Sequence, residues 1–367
     1  MPPRPDAGPR PPLDAPAHHT STPHTSTPHT PSPDAPPVRW RDRVRIPRPT
    51  GSPAELTGLP ARTPRRRSVP VPDPVSGRIL RVAVWEYEPA PAPGGPPADA
   101  PGLLFVHGFR GDHHGLALLA DALPEHAIHS LELPGFGDSD PFPDAEHTVA
   151  HHADAVASVV AALAPPAPPV LVAHSYGTVV AGELVARDPA RWDRLALLNP
   201  IAEPALDASG SLSGRALAAL ACGYYEAAAR LPERIGRLVL GASPVVWVTT
   251  LAMTRTRDRR VLAHTHDQHR RYFSRFASAR MLSQSYRASS TGTVADVAAR
   301  LRLPVLLVAG REDPLGSVAA QEALAAAIEA GGGAAELHVL DDVGHLLHYE
   351  RPVTCAALLR GWAARHR

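Results

Sequence analysis

A serine, an aspartate and a histidine of this 367-residue chain each follow a short apolar run. Ser175 follows VLVAH, Asp313 lies in GREDP after VLLVA, and His345 lies in DDVGH after ELHVL. Serine becomes an effective nucleophile when a histidine removes its proton, and that histidine needs a carboxylate to fix its tautomer. The three residue types are therefore the parts of a nucleophilic attack on a carbonyl carbon.

The segment around Ser175 has the pattern of a nucleophile elbow, a sharp turn between a strand and a helix. The pattern is G-x-S-x-G, and here Ala173 replaces the first glycine while Gly177 keeps the second. Small residues are needed on both sides of the serine because the strand and the helix approach closely. A serine that caps an ordinary helix would also stand here, so the pattern alone leaves both interpretations open.

The elements that must position these residues alternate between strands and helices. Strands are predicted at Val69–Val75, Ile79–Tyr87, Leu103–His107, Ile128–Leu133, Val170–His174, Leu195–Leu198, Val305–Ala309 and Glu336–Leu340. Helices are predicted at Gly115–Leu123, Glu146–Leu163, Gly177–Arg187, Val318–Ala330 and Arg351–Ala364. This order predicts a mostly parallel sheet covered on both faces, with Ser175, Asp313 and His345 at the carboxyl edge where such sheets bind ligands.

Composition divides the chain into a tail, a core and an insertion. Residues 1–67 are rich in proline and hold an HTSTP repeat, which predicts a disordered tail. Residues 68–199 and 301–367 carry the alternating pattern of the core. Residues 200–300 interrupt that pattern and predict a helical insertion, or cap. Residues 201–300 carry 14 Arg against 7 acids, and pairing with the acidic core is favoured over an anionic substrate or membrane surface.

Composition also excludes several functions. All 37 basic residues other than histidine are Arg, so lysine Schiff bases and the GK[ST] phosphate loop are excluded. Cys222 and Cys355 lie far apart and are expected as free thiols in a reducing cytosol. No signal peptide is visible, and Gly241 and Pro244 interrupt the apolar run Leu238–Met253, so we expect a cytoplasmic protein without stable membrane insertion. Nucleic-acid binding is not expected, because no binding motif is present.

At these residues the chain resembles the capped serine hydrolases of the α/β-hydrolase superfamily. The resemblance covers roughly residues 69–367 and is carried by VHGF, LPGFGDS, AHSYG, GREDP and GH in that order. It implies a mostly parallel eight-stranded sheet flanked by helices, with a helical cap insertion. It further implies Ser175 as nucleophile, His345 as base and Asp313 as acid. The backbone N–H groups of Phe109 and Tyr176 would form the oxyanion hole.

The resemblance also suggests the reaction. Two positions depart from the common pattern, Ala173 at the elbow and Glu132 before LPGFG, and neither removes a catalytic group. We expect hydrolysis of a small-molecule ester, thioester or related carbonyl compound through an acyl-enzyme, without cofactor or metal. The same apparatus serves amide and C–C hydrolysis, cofactor-free haloperoxidase-type relatives, and ligand-binding proteins without activity. Haloalkane dehalogenases and epoxide hydrolases differ, because they carry aspartate at the elbow.

Other residues compete for these roles. Glu312 is an alternative acid and His348 an alternative base, although GRED and GH favour Asp313 and His345. Metal-ligand residue types occur in two clusters, and for both a site is disfavoured because the expected mechanism needs no metal. The clusters are Asp112-His113-His114, and His264, His266 and His269 in HTHDQH.

Overall fold

The computed structural model describes residue 49 and residues 51–90, 100–204 and 212–366, with side chains of the helix at Leu212–Arg230 described from residue 219. The predicted tail up to residue 48, including its HTSTP repeat, lies outside these residues. Eight strands are described: β1 (Arg65–Pro72), β2 (Ile79–Tyr87), β3 (Leu103–Val106), β4 (Ile128–Leu131), β5 (Val170–His174), β6 (Leu195–Leu198), β7 (Pro304–Gly310) and β8 (Ala334–Leu340).

The strands form one sheet in the order β1-β2-β4-β3-β5-β6-β7-β8. Strand β2 runs antiparallel to both β1 and β4, and every other neighbouring pair is parallel. The predicted mostly parallel eight-stranded sheet is therefore confirmed. Strands β3, β5 and β6 are buried along their whole length, which explains why their sequences are continuously apolar instead of alternating.

Helices cover both faces of the sheet. The described helices are α1 (Ala54–Thr57), α2 (Ala117–Asp121), α3 (Val149–Leu163), α4 (Tyr176–Arg187), α5 (Leu212–Arg230), α6 (Glu233–Leu240), α7 (Ser243–Met253), α8 (Arg259–Tyr272), α9 (Ala279–Thr291), α10 (Val318–Ala330), α11 (Leu347–Glu350) and α12 (Pro352–Arg365). Strand β5 shows how its side chains divide, because Leu171 and Ala173 pack into one apolar cluster with α3, α4 and α10. Val170 and Val172 point to the opposite face and pack with α2 and α12.

The prediction that residues up to 67 lie outside the fold is wrong for its last part. Strand β1 begins at Arg65 and pairs with β2 along its whole length. Arg62 anchors the preceding segment, because its guanidinium donates to the backbone oxygens of Ala120, Leu123, Glu88 and His126. The run of charges at Arg65–Arg67 suggested a solvated linker. In the structure these side chains are exposed on an edge strand, where charged residues are as common as in a linker.

Helices α5–α9 all lie between β6 and β7, within the predicted insertion, and we refer to Leu212–Thr291 as the inserted helices. Ion pairs connect them to the core. Arg275 lies within ion-pair distance of Asp112 and Asp138, and Arg257 pairs with Asp342 at 3.4 Å. The expected pairing of the basic insertion with the acidic core is thus present at these two arginines.

One apolar segment of the inserted helices resembles a membrane span by length and composition alone. Residues Glu233–Met253 have a mean hydropathy of 1.5 over their most apolar window, of which 28% is buried. The structure breaks this segment into α6 and α7, with the turn at Gly241 and Ala242. The break falls within the run that the sequence marked as interrupted. The expected lack of membrane insertion stays a prediction.

Candidate active site

Ser175 occupies a strained turn between β5 and α4. Its backbone has φ 52° and ψ −124°, a left-handed conformation that costs free energy for any residue other than glycine. The serine side chain makes no capping hydrogen bond to the helix that follows it. Instead its Oγ lies 2.7 Å from Nε2 of His345. The geometry is therefore that of a nucleophile elbow, and the helix-cap interpretation does not hold.

The close approach of the strand and the helix explains the small residues of the elbow. A Cβ atom on Gly177 would lie 2.5 Å from the backbone oxygen of Val106 and 2.6 Å from that of His107. No side chain fits in that space, because the obstacle is backbone. Ala173 is fully buried within the sheet, and its methyl group fits there. The departure from glycine at this position thus leaves the turn intact.

His345 connects Ser175 to Asp313. Its Nδ1 lies 2.9 Å from Oδ2 and 3.0 Å from Oδ1 of Asp313, while its Nε2 faces the serine hydroxyl. A carboxylate only accepts hydrogen bonds, so the proton of the neutral ring belongs on Nδ1, and Nε2 is left free to accept the serine proton. The side chains of His345 and Asp313 are 6% and 4% exposed. The structure thus brings together the three residues singled out in the sequence.

Asn199, which the sequence analysis did not identify, holds the loop that carries His345. Its Nδ2 donates to the backbone oxygens of Gly344 and His345 at 2.9 and 2.8 Å, and its Oδ1 accepts from the N–H of Gly310 at 2.7 Å. The residue is completely buried directly after β6. It thereby joins the ends of three neighbouring strands. The available signal was a polar residue at the carboxyl end of an apolar strand.

Two backbone N–H groups predicted for the oxyanion hole lie on either side of the serine. Tyr176 is the first residue of α4, where the N–H group has no partner within the helix. Phe109 follows Gly108, and a Cβ atom on Gly108 would lie 2.9 Å from Cβ of Ser175. The loop after β3 therefore touches the elbow. The oxyanion role of Phe109 and Tyr176 stays a prediction.

Ser175 and His345 open into a cavity of about 280 Å³ beneath the inserted helices. Aromatic side chains of those helices line it, as expected for an apolar pocket: Tyr225, Tyr272, Phe273 and Tyr286. Its volume is just below the range of about 300–1,000 Å³ that is typical of pockets for small ligands. A larger and more open groove of about 550 Å³ lies between α3 and α9 and contains none of the three residues.

Comparison with known proteins agrees with this arrangement. A model of the alpha/beta hydrolase family matches residues 103–358, which include both the elbow and the loops that carry Asp313 and His345. The chain belongs to the alpha/beta hydrolase family. Within the same chain, 151 residues are 32% identical to the "Probable oxidoreductase EphD" of Mycobacterium tuberculosis and Mycobacterium bovis. That match covers 41% of this chain and 23% of the relative, so the chain spans less than a quarter of its length.

Solved structures of other hydrolases share the fold of this family member. The esterase of Thermogutta terrifontis, solved with malate bound, has a TM-score of 0.63 at 19% identity and covers 82% of this chain and 99% of its own. A bacterial membrane phospholipase A described as a virulence factor has a TM-score of 0.58 at 21% identity, covering 86% and 89%. Identities this low show the fold alone.

The competing acid and base of this alpha/beta hydrolase lie elsewhere in the site. The carboxylate of Glu312 accepts from the N–H of Val343 at 3.0 Å and thus braces the loop before His345. His348 lines the same cavity and stacks edge-on against His174, with 4.1 Å between ring centroids. Within the part of the chain that the structure describes, its Nδ1 has no hydrogen-bond partner. Neither residue takes part in the connection from Ser175 to Asp313.

Burial keeps several histidines around the cavity neutral. It lowers the pKa of His174 to about 3 and that of His269 to about 3, and it lowers the pKa of His348 well below its ordinary value. The neighbouring His345 further lowers the pKa of His174 by charge repulsion. These rings are therefore hydrogen-bonding and packing groups at neutral pH. Because each ring takes up a proton more readily in the unfolded chain, each lowers the free energy of unfolding as the pH falls.

We expect the fall in the free energy of unfolding from pH 7 to pH 5 to be about 2 kcal/mol smaller in His269→Asn than in the original protein. An unfolded histidine takes up a proton below its ordinary pKa of 6.5, whereas folded His269 stays neutral down to about 3. Stability is therefore lost as the pH falls through this window. Asparagine retains a group that can bond to the Thr250 hydroxyl, the partner of His269 Nδ1.

Urea unfolding at pH 5, 6, 7 and 8 measures this difference. Between pH 7 and 8 the two proteins should change almost alike, because the histidine is mostly neutral in the unfolded state and neutral in the folded state. Parallel curves from pH 7 down to pH 5 would show that His269 is protonated in the fold and would contradict the prediction.

The structure brings one ligand atom each of Asp112, His113 and His114 within 4.8 Å of one another, so the expected absence of a metal there stays a prediction. Nδ1 of His113 contacts Oε1 of Glu132 at 2.6 Å, and Nδ1 of His114 contacts Oδ1 of Asp112 at 3.1 Å. The rings of His113 and His114 also stack between Trp85 of β2 and Tyr272 of α8. This cluster thus connects the sheet to the inserted helices. In the second cluster, His266 and His269 both direct Nδ1 at the Thr250 hydroxyl, at 3.4 and 2.9 Å.

Proposed function

We propose that this protein is a cofactor-independent serine hydrolase that cleaves small esters, thioesters or related carbonyl compounds. The observation that carries the proposal is the continuous connection from Ser175 Oγ through His345 to both carboxylate oxygens of Asp313. Membership of the alpha/beta hydrolase family and the esterase and phospholipase neighbours support hydrolysis as the reaction.

The chemistry follows from the orientation of these groups. Nε2 of His345 takes the hydroxyl proton of Ser175 as Oγ attacks the carbonyl carbon, and Asp313 stabilises the imidazolium that forms. His345 then gives the proton to the leaving group, and an acyl-enzyme remains on Ser175. Water attacks the acyl-enzyme with His345 as the base, which releases the acid and restores the serine. The N–H groups of Phe109 and Tyr176 would stabilise the negative oxygen in both steps.

The serine at the elbow distinguishes this proposal from the chemistry of haloalkane dehalogenases and epoxide hydrolases, which carry aspartate there. A serine forms an ester intermediate, which water hydrolyses at the acyl carbon. The name of the mycobacterial relative suggests an oxidoreductase, but the match covers 23% of that protein and says nothing of the remainder. A protein that only binds its ligand would have no need of the strained backbone at Ser175 or the aligned histidine.

We expect a tagged fluorophosphonate to label the folded protein and to leave Ser175→Ala unlabelled. The probe reacts with a serine whose proton has been taken by an aligned base, and of the described serines only Ser175 contacts His345. Ser290→Ala is the matched control, because Ser290 lines the same cavity and its Oγ instead bonds to a backbone oxygen. Gel fluorescence and mass spectrometry of the labelled peptide give the result. A folded protein that stays unlabelled, or labelling that survives in Ser175→Ala, would overturn the proposal.

A further inference from the structure

Arg110 is a buried cation of the candidate active site. It is 3% exposed and lines the same cavity as Ser175 and His345. It directly follows Phe109 in the loop after β3, and its own backbone has a left-handed φ of 59°. A non-glycine residue in this conformation is strained. The rest of the fold therefore offsets the conformational free energy that is needed to place this side chain.

No carboxylate of the described residues lies within ion-pair distance of the Arg110 guanidinium. Asp112, the acidic residue closest to Arg110 in sequence, also lines the cavity, but it is paired with Arg275 at 3.3 Å. The partners of Arg110 are neutral: the backbone oxygens of Phe273 and Leu240 at 3.0 and 2.9 Å, and the hydroxyl of Tyr225 at 3.3 Å. A buried charge without a counter-ion is unfavourable, which is why such charges are usually paired.

The hydrogen bonds of Arg110 leave part of its binding capacity unused. A guanidinium has five N–H groups, and three of them serve the partners named above. One N–H on each terminal nitrogen remains. Free N–H groups on neighbouring guanidinium nitrogens can bind the two oxygens of a carboxylate. The side chain thus has both the charge and the donors that an anion in the cavity requires.

We propose that Arg110 binds a carboxylate of the substrate, so that the substrate is a small ester or related carbonyl compound that carries a negative charge. This inference rests on the proposed hydrolase function. The substrate would supply the counter-ion that the described residues do not provide, within the same cavity that exposes Ser175. A neutral substrate of equal size would leave the guanidinium unpaired and would bind less tightly.

A purely structural role is the alternative for Arg110. Its three partners belong to the inserted helices or the turn after α8, and its guanidinium packs over the ring of Phe273 at 3.9 Å. Arg237 offers a comparison at an exposed position, since it also donates to backbone oxygens, those of Phe276 and Ala277, and packs over the ring of Phe276 at 5.2 Å. Arg237 does not line the active-site cavity.

The test compares p-nitrophenyl monoesters of succinic, glutaric and adipic acids with neutral esters in which an isopropyl group replaces the free carboxylate. The original protein should favour the best anionic ester over its neutral counterpart by at least about tenfold in kcat/KM, because hydrogen bonds to charged groups are strong. Arg110→Met should abolish that preference, because kcat/KM should fall by about tenfold more for the anionic ester than for the neutral one. Arg110→Lys should retain part of the preference, and Arg237→Met all of it.

Fluorophosphonate labelling of Ser175 in every variant distinguishes failure of the proposed carboxylate binding from failure of the proposed hydrolase function. If the original protein is labelled but shows no preference for, or no turnover of, the anionic esters, the inference about Arg110 is overturned and the hydrolase proposal stands. An equal loss for anionic and neutral esters in Arg110→Met overturns it too, because a structural role would produce that result. If the original protein is not labelled, the proposed function itself fails.

Discussion

His345→Gln should lower kcat for ester hydrolysis by about a millionfold. The ring nitrogen that faces Ser175 at 2.7 Å is the only titratable group in contact with the serine hydroxyl among the described residues. Glutamine keeps a polar group of similar reach but cannot take the proton as the bond to the carbonyl carbon forms. KM should change by less than about threefold, because the residue acts on the reacting atoms and not on the remote part of the substrate.

His348→Gln is the matched comparison for this prediction. His348 lies three residues further on, is also buried and lines the same cavity, yet its Nδ1 has no hydrogen-bond partner among the described residues. We expect kcat to fall by less than about tenfold, since the base and its carboxylate remain in place. Stopped-flow and steady-state rates with p-nitrophenyl esters measure both variants, and circular dichroism checks their folding. Full loss in His348→Gln together with activity in His345→Gln would reverse the assignment.

The parts of the fold that the sequence predicted well are those that depend on neighbouring residues. The bounds of β2 and α10, Ile79–Tyr87 and Val318–Ala330, agree with the predicted ones, because an apolar pattern or a cap is contained in the segment itself. The elbow at Ser175 was recognisable for the same reason, since strand, turn and helix follow each other without interruption. Local patterns therefore located the elbow at which we propose the nucleophile.

The parts that the sequence did not predict depend on contacts between distant residues. Asn199 bonds to the backbone 145 residues away, and Arg110 reaches a partner 163 residues away. Neither residue stands in a pattern that reveals such a partner. The edge strand at Arg65–Arg67 was also missed, because its exposed arginines are compatible with both a linker and a strand. Burial and pairing decide these cases, and only the structure shows them.

The sequence predicted the inserted helices only in part. Their sequence indicated helical character and a basic charge, but not the bounds of α5–α9, because short helices that pack against one another leave overlapping patterns. Four aromatic residues of these helices line the cavity: Tyr225, Tyr272, Phe273 and Tyr286. The predicted charge pairing was present at Arg275 and Arg257. The buried, unpaired Arg110 on the core side could be noticed only once the helices above it were placed.

Asp313→Asn should lower kcat by about ten-thousandfold while the protein stays folded. Oδ1 of Asp313 accepts a hydrogen bond from the N–H of Leu315 at 2.8 Å, so the oxygen of an asparagine would be held at that position. The amide nitrogen would then replace Oδ2, 2.9 Å from Nδ1 of His345. Because an amide nitrogen donates, it would favour the ring tautomer with its proton on Nε2. That tautomer cannot accept the proton of Ser175.

Glu312→Gln tests whether the neighbouring carboxylate shares this role. Its Oε2 accepts from the N–H of Val343, and glutamine can make the same bond with its amide oxygen, so we expect kcat to fall by less than about tenfold. Rates for both variants over pH 6–9 would separate them further, since only the loss of Asp313 removes the group that stabilises the imidazolium. If Glu312→Gln instead lost as much activity as Asp313→Asn, the contact between Asp313 and His345 would not be the one that orients the base.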